Sequence, residues 1–248
     1  MLLHHCTWKE VEERLQSSKG IMVPIGSTEQ HGPNGLIGTD AICAAAIAAA
    51  AGDELDVLVA PTIPVGMAQH HMAFAGSMTV RPSTLIQLIN DWVMSLSHHG
   101  FTHFYFINGH GGNTSTVTAA FDELYAGVSL SADGAPHIRC RSVNWWQGKR
   151  TSELRKKLYG AKEGAHATPS EVALTQYIDR DTIKNVPVDG VAPPPGAFAD
   201  AADYREKFPD GRMGSDPILA NPEDGGKLLD ACVEDVVEDY NKFVGNAA

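Results

Sequence analysis

The sequence predicts an α/β protein, a three-layer α/β/α sandwich around a mainly parallel central sheet. Three observations lead there. Short apolar runs rich in Val, Ile and Phe alternate with longer segments of helical spacing, the pattern of parallel strands joined by helices. The punctuation fits: apolar runs exit into Gly- and Pro-bearing loops, and the helical segments are bounded by Pro and Gly. The 248 residues contain no internal repeat and no sharp composition break, so residues 1–248 are read as one domain with ample length for a large core.

The elements follow in order. "IMVPIG" (21–26) is a short β-rich run ending at Gly, the signal of a buried strand. A polar loop leads into an alanine-rich helix at about 40–51. "DVLVAPTIPVG" (56–66) reads as a second strand with a Pro-rich exit. Residues 81–100 carry apolar side chains at helical spacing, opening with Pro82 and closing with Gly100. "THFYFING" (102–109) is a third strand, followed by "HGGN" and a helix at about 113–126. "HIRCRSVNWW" (137–146) is a fourth strand, with helices after it at about 149–159 and 169–178. The Pro/Gly/Ala-rich stretch 186–203 reads as a long surface loop, and a last helix runs from about 221 to 243.

Bulk properties exclude several functions. Hydrophobic residues are 43% and charged residues 20%, as in an ordinary globular protein. The net charge is −11 and the densest basic run is only Arg155-Lys156-Lys157, which argues against nucleic acid and against anionic membrane surfaces. The longest apolar run, residues 41–52, is too short and too alanine-rich to span a bilayer. Cys6, Cys43, Cys140 and Cys232 are scattered with no C-x-x-C pair, so neither thiolate zinc nor a disulfide scaffold is indicated. With no signal-peptide pattern at the N-terminus, a cytoplasmic protein with reduced thiols is expected.

Folds of this class place their sites where strands end and helices begin. The loop after the first strand, "GSTEQHGPNGLIGTD", offers Glu29, His31 and Asp40. In extended chain, residues two apart point the same way, so Glu29 and His31 can reach one centre. Asp40 precedes the alanine helix, where it is equally a natural N-cap. The loop after the third strand offers His110 beside Gly109, Gly111 and Gly112; His110 there either faces a ligand or hydrogen-bonds backbone. "GAHATPSE" offers His166 and Glu171, the latter also suited to the positive end of a helix. Histidines and carboxylates without sulfur suit Zn²⁺, Mn²⁺ or Fe²⁺, and a carboxylate shared by two ions makes a two-metal hydrolytic site. "NGHGGN" is also weighed as a phosphate loop, but it lacks a G-K-[ST] ending and the G-x-G-x-x-G spacing.

These residues carry a resemblance. "VPIGSTEQHGPNGLIGTD" resembles the first signature of the creatininase (creatinine amidohydrolase) family, "INGHGGN" the second and "EGAHATPSE" the third. "AFAGSMTV" (73–80) is similar to its F-P-G-T segment and residues 214–229 to the segment before its last helix, so the likeness runs over nearly the whole chain. The resemblance implies a three-layer α/β fold, two divalent ions and hydrolysis of a non-peptide C–N bond, often in a cyclic amide. By position, Glu29, Asp40 and His110 match the ligands of one ion; His31 and Asp40 match the other, with Asp40 bridging. His166 matches a histidine that handles protons beside the substrate. Ser77, Gly111 and the pair Trp145-Trp146 fall where substrate contacts are expected, although a buried core Trp is the plain alternative for the pair.

The chain departs from creatininases proper, which carry Tyr and Glu directly after the "NGH" histidine. Here those positions are Gly111 and Gly112, so a substrate-contacting Tyr and one metal ligand are missing. Glu171 is the expected replacement ligand and, with His166, an expected catalytic residue. The implied chemistry is attack on an amide by water activated at two ions, Zn and/or Mn with Fe possible. His166 then protonates the leaving nitrogen, a task suited to a pKa of about 6–7. Relatives bearing "NGHGGN" act on formamides in cofactor synthesis or on small peptides, which keeps those substrates as alternatives. A metal-dependent small-ligand binding protein without turnover is the non-enzymatic alternative. The resemblance also implies a homo-oligomer, a hexamer.

Overall fold

A computed structural model describes residues 1–131 and 137–245. It contains a single sheet of four parallel strands in the order β2-β1-β3-β4. β1 (Gly20–Ile25) and β3 (His103–Asn108) lie at the centre, and every residue of β1 is buried. This is why both read as unbroken apolar runs rather than alternating ones. They pair in register over their full length, Gly20 against His103 through Ile25 against Asn108. Their last residues therefore end level, and the two exit loops emerge side by side.

Alternate residues of these strands feed opposite layers. Ile21, Val23, Ile25, Phe104 and Phe106 pack on α3 (Pro82–His98) and α4 (Thr114–Leu130) through Leu85, Ile89, Val93, Val117 and Phe121. Met22, Tyr105 and Ile107 face α2 (Thr39–Leu55), α6 (Pro169–Ile178) and α8 (Pro222–Gly245) through Cys43, Ile47, Leu174, Leu228 and Cys232. The expected three-layer sandwich follows from this two-residue period.

The second strand is shorter than the sequence suggests. β2 spans only Leu58–Val59, and beyond it a single bridge joins Ile63 to Ile25. Pro61 and Pro64 have no N–H to donate and break the ladder. β4 (Arg139–Asn144) stops before the Trp pair, which lies in a 3-10 turn, Trp145–Gln147. α5 (Lys149–Tyr159) lies where the sequence placed it. Two short helices fall outside the sequence reading. α1 (Trp8–Arg14) starts with a capping box, Thr7 and Glu10 each covering the other's backbone N–H. α7 (Ala201–Lys207) begins inside the stretch read as loop, with the Asp200 carboxylate accepting from the N–H groups of Ala202 and Asp203. Among the described residues no helix is long and apolar enough to cross a membrane, and all four cysteines are free.

Candidate metal centre

The β1 exit loop places Glu29 and His31 in the interior; both are almost completely shielded from solvent. The extended geometry sends both side chains toward the start of α2, where Asp40 is buried in the first turn. Gly38, not Asp40, occupies the cap position, and the Asp40 side chain makes no cap hydrogen bond. Its oxygens divide instead between two histidines. Oδ1 lies 3.0 Å from His31 Nε2 and Oδ2 lies 3.1 Å from His110 Nδ1. His110, from the β3 exit, also brings Nδ1 within 3.2 Å of Glu29 Oε1.

Backbone carbonyls orient each ring. His31 Nδ1–H donates to the carbonyl of Glu29 at 3.2 Å, and His110 Nε2–H donates to that of Met67 at 3.0 Å. His166 Nε2–H donates to the carbonyl of Gln30 at 2.8 Å. In each case the other ring nitrogen is turned toward the carboxylates, the arrangement by which proteins aim metal-binding imidazoles. Ala167, next to His166, sits in the left-handed region at φ 53°, uncommon for a residue with a side chain. The Ser215 hydroxyl donates to the His166 carbonyl at 2.6 Å and helps to hold that conformation.

The two oxygens of Glu171 have different surroundings. Oε2 accepts from the Thr168 N–H at 2.8 Å and the Thr168 hydroxyl at 2.7 Å, a capping box that opens α6. Oε1 is left facing the site, 4.0 Å from His31 Nε2.

The donor set fits divalent ions. Both carboxylate oxygens of Glu29, Nε2 of His31 and Oδ2 of Asp40 are buried and have no hydrogen-bond partner. Buried charged atoms without partners cost several kcal/mol unless something compensates them, and here they converge on one another. Two groupings have ligand atoms within 4.8 Å of one another: Glu29, His31 and Asp40, and Glu29, His71 and His166. The electrostatics are strong. Burial pushes the Glu29 carboxyl up, but His110 and His71 outweigh it and hold it well below the usual range. Burial opposes charge on His31, yet Asp40 raises it to about 10, and His110 is raised by Glu29 and Asp40 in the same way. His166 goes the other way: burial, then the neighbouring His71 and His31, hold it well below 6.5, lower than the sequence suggested.

The site opens into a cavity of about 210 Å³. Asp40, His110, Gly111, Trp145, Trp146, His166 and Glu171 line it, together with His70, His71, Phe198 and Tyr204. Trp145 is at the same time a core residue, packed in the layer of α2 and α8. Ser77 is buried and not among the lining residues; its hydroxyl accepts the Gln30 N–H at 3.1 Å. A larger hollow of about 770 Å³ runs along β4. No histidine lines it, and its Arg150 is ion-paired with Asp235 and Glu238.

The sequence reading missed His70 and His71, in a 3-10 turn after β2, and Tyr204 on α7. The signal for the histidines was available, since they too follow a strand exit. Burial lowers the His70 pKa to about 4, and its ring stacks on Phe198 with centroids 4.9 Å apart.

Comparison with known proteins bears on the family and the fold. The family model of creatinine amidohydrolase, Creatininase, matches residues 4–240. A creatinine amidohydrolase of Pseudomonas putida is 23% identical over 247 residues, covering 94% of this chain and 93% of that protein. A mycofactocin precursor peptide peptidase of Mycolicibacterium smegmatis is 35% identical over 106 residues, 40% of this chain. In that match the chain spans only 42% of the peptidase's length. The structure of a manganese creatininase superposes with a TM-score of 0.83 at 22% identity, over 97% of both chains, which shows the fold.

Proposed function

The chain belongs to the creatininase family, and from that premise we propose that it is a metal-dependent amidohydrolase cleaving a non-peptide C–N bond in a small, often cyclic, amide. The observation that carries the reading is the convergence of unpartnered buried atoms on Glu29, His31 and Asp40. Glu29, Asp40 and His110 would hold one divalent ion, Zn or Mn with Fe possible. His31, Asp40 and Glu171 would hold the other. When bound, such ions supply Lewis acidity and lower the pKa of water toward neutrality.

The chain's own residues do the rest. His166 is held neutral, with Nε2–H tied to the Gln30 carbonyl and Nδ1 facing Glu29 at 3.8 Å. That bare nitrogen takes a proton from the attacking water and returns it to the leaving nitrogen. Trp146 and Phe198 wall the cavity, and Gly111 leaves room beside the Trp146 ring, whose nearest atom would lie 3.9 Å from a Cβ there. A cavity of about 210 Å³ suits a small amide.

A second reading, trimming of a short peptide, rests on the 35% identity to a peptidase over residues that include less than half of the chain. The formamide and binding-protein alternatives are weighed by the same experiment. Protein stripped with EDTA and reloaded with Mn²⁺ or Zn²⁺ is offered small cyclic amides, formamides and short peptides. Metal-dependent ring opening of a cyclic amide, giving one product that carries both the new carboxylate and the freed amine, supports the proposal. Turnover of peptides alone shifts it to the second reading, and full activity without metal defeats it. A cytoplasmic homo-oligomer, a hexamer by family resemblance, belongs to the same proposal and is checked by light scattering on the purified protein.

A further inference from the structure

We propose that Gln30 and His71 form a positioning pair that orients Glu29, and that His71 is not itself a metal ligand. This rests on reading Glu29 as a ligand.

By distance alone His71 looks like a ligand. It is buried, its Nε2 lies 3.2 Å from Glu29 Oε1, and its ring stacks on that of His166 with centroids 4.4 Å apart. The hydrogen-bond accounting around Gln30 excludes that role. Gln30 Oε1 accepts the Gly32 N–H at 2.8 Å, and Gln30 Nε2 donates to the Gly211 carbonyl at 3.1 Å. Flipping the amide would set oxygen against oxygen at Gly211 and N–H against N–H at Gly32, so its orientation is fixed. The second amide hydrogen has two candidate acceptors, His71 Nδ1 at 3.0 Å and His166 Nε2 at 2.8 Å. His166 Nε2 already carries a proton, because a backbone carbonyl 2.8 Å away can only accept. Those two nitrogens are then neighbouring donors aimed at different acceptors. The amide hydrogen goes to His71 Nδ1, which must be bare. His71 therefore carries its proton on Nε2, facing Glu29, and an N–H cannot ligate a metal.

The surroundings keep Gln30 in this pose. A Cβ on Gly211 would lie 1.8 Å from Gln30 Oε1, so only glycine admits the amide there. The Tyr204 hydroxyl donates to the same Gly211 carbonyl at 3.0 Å, and the Ser77 hydroxyl accepts from the Gln30 N–H. His71 thus turns its Nε2–H side toward Glu29 Oε1, 3.2 Å away but not aligned as a hydrogen bond, and from there steers how the carboxylate meets an ion. Losing such an outer partner typically weakens metal binding by roughly 10–100-fold.

Two measurements test the pair. Long-range ¹H–¹⁵N spectra of the histidine rings, recorded on metal-free protein with H71Q to identify the signal, should show the Nε2–H tautomer at His71. An Nδ1–H tautomer overturns the proposal. Zn²⁺ titration against a chromophoric chelator should give the wild-type ion count in H71A with roughly 10–100-fold weaker binding. H71Q, which keeps an N–H near the same place, should stay within a few-fold of wild type. Saturation of H71A at one ion fewer makes His71 a ligand, and unchanged affinity removes its role; either outcome overturns the proposal. Should H71A fail to fold, Q30M carries the titration, with the same loss expected and unchanged affinity again contradicting it. Wild-type protein that takes up no ion at all would defeat the metal reading separately, leaving the tautomer to be judged by the spectra.

Discussion

Gly112 leaves no room for a side chain because of His110: a Cβ there would lie 2.3 Å from His110 Nε2 and 2.6 Å from the Met67 carbonyl oxygen. The hydrogen bond that orients His110 occupies the space into which a residue-112 side chain would point. A glutamate at this position cannot be added without dislodging His110. G112A should therefore weaken metal binding, and G112E should not improve it. Isothermal titration of both with Mn²⁺ checks this; tighter binding in G112E contradicts it.

Glu171 is left as the carboxylate for that side of the site, and its two oxygens have separable tasks. E171Q keeps an acceptor for the Thr168 capping box but weakens the charge toward His31. It should lose metal affinity while keeping its melting temperature within a few degrees. E171A should lose both, the cap costing about 1 kcal/mol. Equal metal affinity in E171Q and wild type would remove Glu171 from the ligand set.

His166 should separate chemistry from metal binding. H166A should lower kcat by about 10²–10⁴-fold, the range of a positioned acid–base group, while the protein retains its ions. Loss of an ion in H166A, read by mass spectrometry of the native protein, would make His166 a ligand instead.

Resident ions should stabilise the fold. Protein with free metal at about 1,000 times its Kd gains about 4 kcal/mol. For a chain of this size that is a rise of roughly 10 °C in Tm over EDTA-treated protein. An unchanged Tm after verified stripping contradicts a buried site of this kind.

Away from the site, Asp235 on α8 supplies the cap that α5 lacks. Its carboxylate accepts from Thr151 N–H and hydroxyl, both at 2.9 Å, and from Arg150 N–H at 3.2 Å. Burial raises its pKa, but these donors outweigh it and the net shift is downward. A lowered folded-state pKa means stability present above the unfolded value, near 3.9, and lost as pH falls through the folded one. D235A should cost about 1–2 kcal/mol at neutral pH, and the gap to wild type should close as pH drops below about 4. Urea melts at several pH values check it; a gap that persists under acid assigns the loss to packing.

Much of this was legible in the residues themselves. The helices expected at about 149–159 and 169–178 are there: α5 starts after Gly148 and stops before Gly160, and α6 opens on Pro169, because such punctuation acts locally. Glu29 and His31 were readable as a pair because the two-residue alternation of extended chain is local too. What sequence spacing could not convey was convergence through the tertiary fold. His71 reaches Glu29 from a turn some forty residues away, and Tyr204 arrives on a helix too short to announce itself beside a Pro-rich loop. The gap at Gly112 looked like a missing ligand. In three dimensions it is space that His110 needs.

Two ions sharing Asp40 are the central expectation for this site, and anomalous diffraction from crystals loaded with Mn²⁺ tests it most directly. The expected result is two peaks per chain about 3.5–4 Å apart, one beside Glu29 and His110, the other beside His31 and Glu171, with the Asp40 carboxylate between them. A single peak, or density held by Glu29, His71 and His166 with Asp40 unligated, would contradict it.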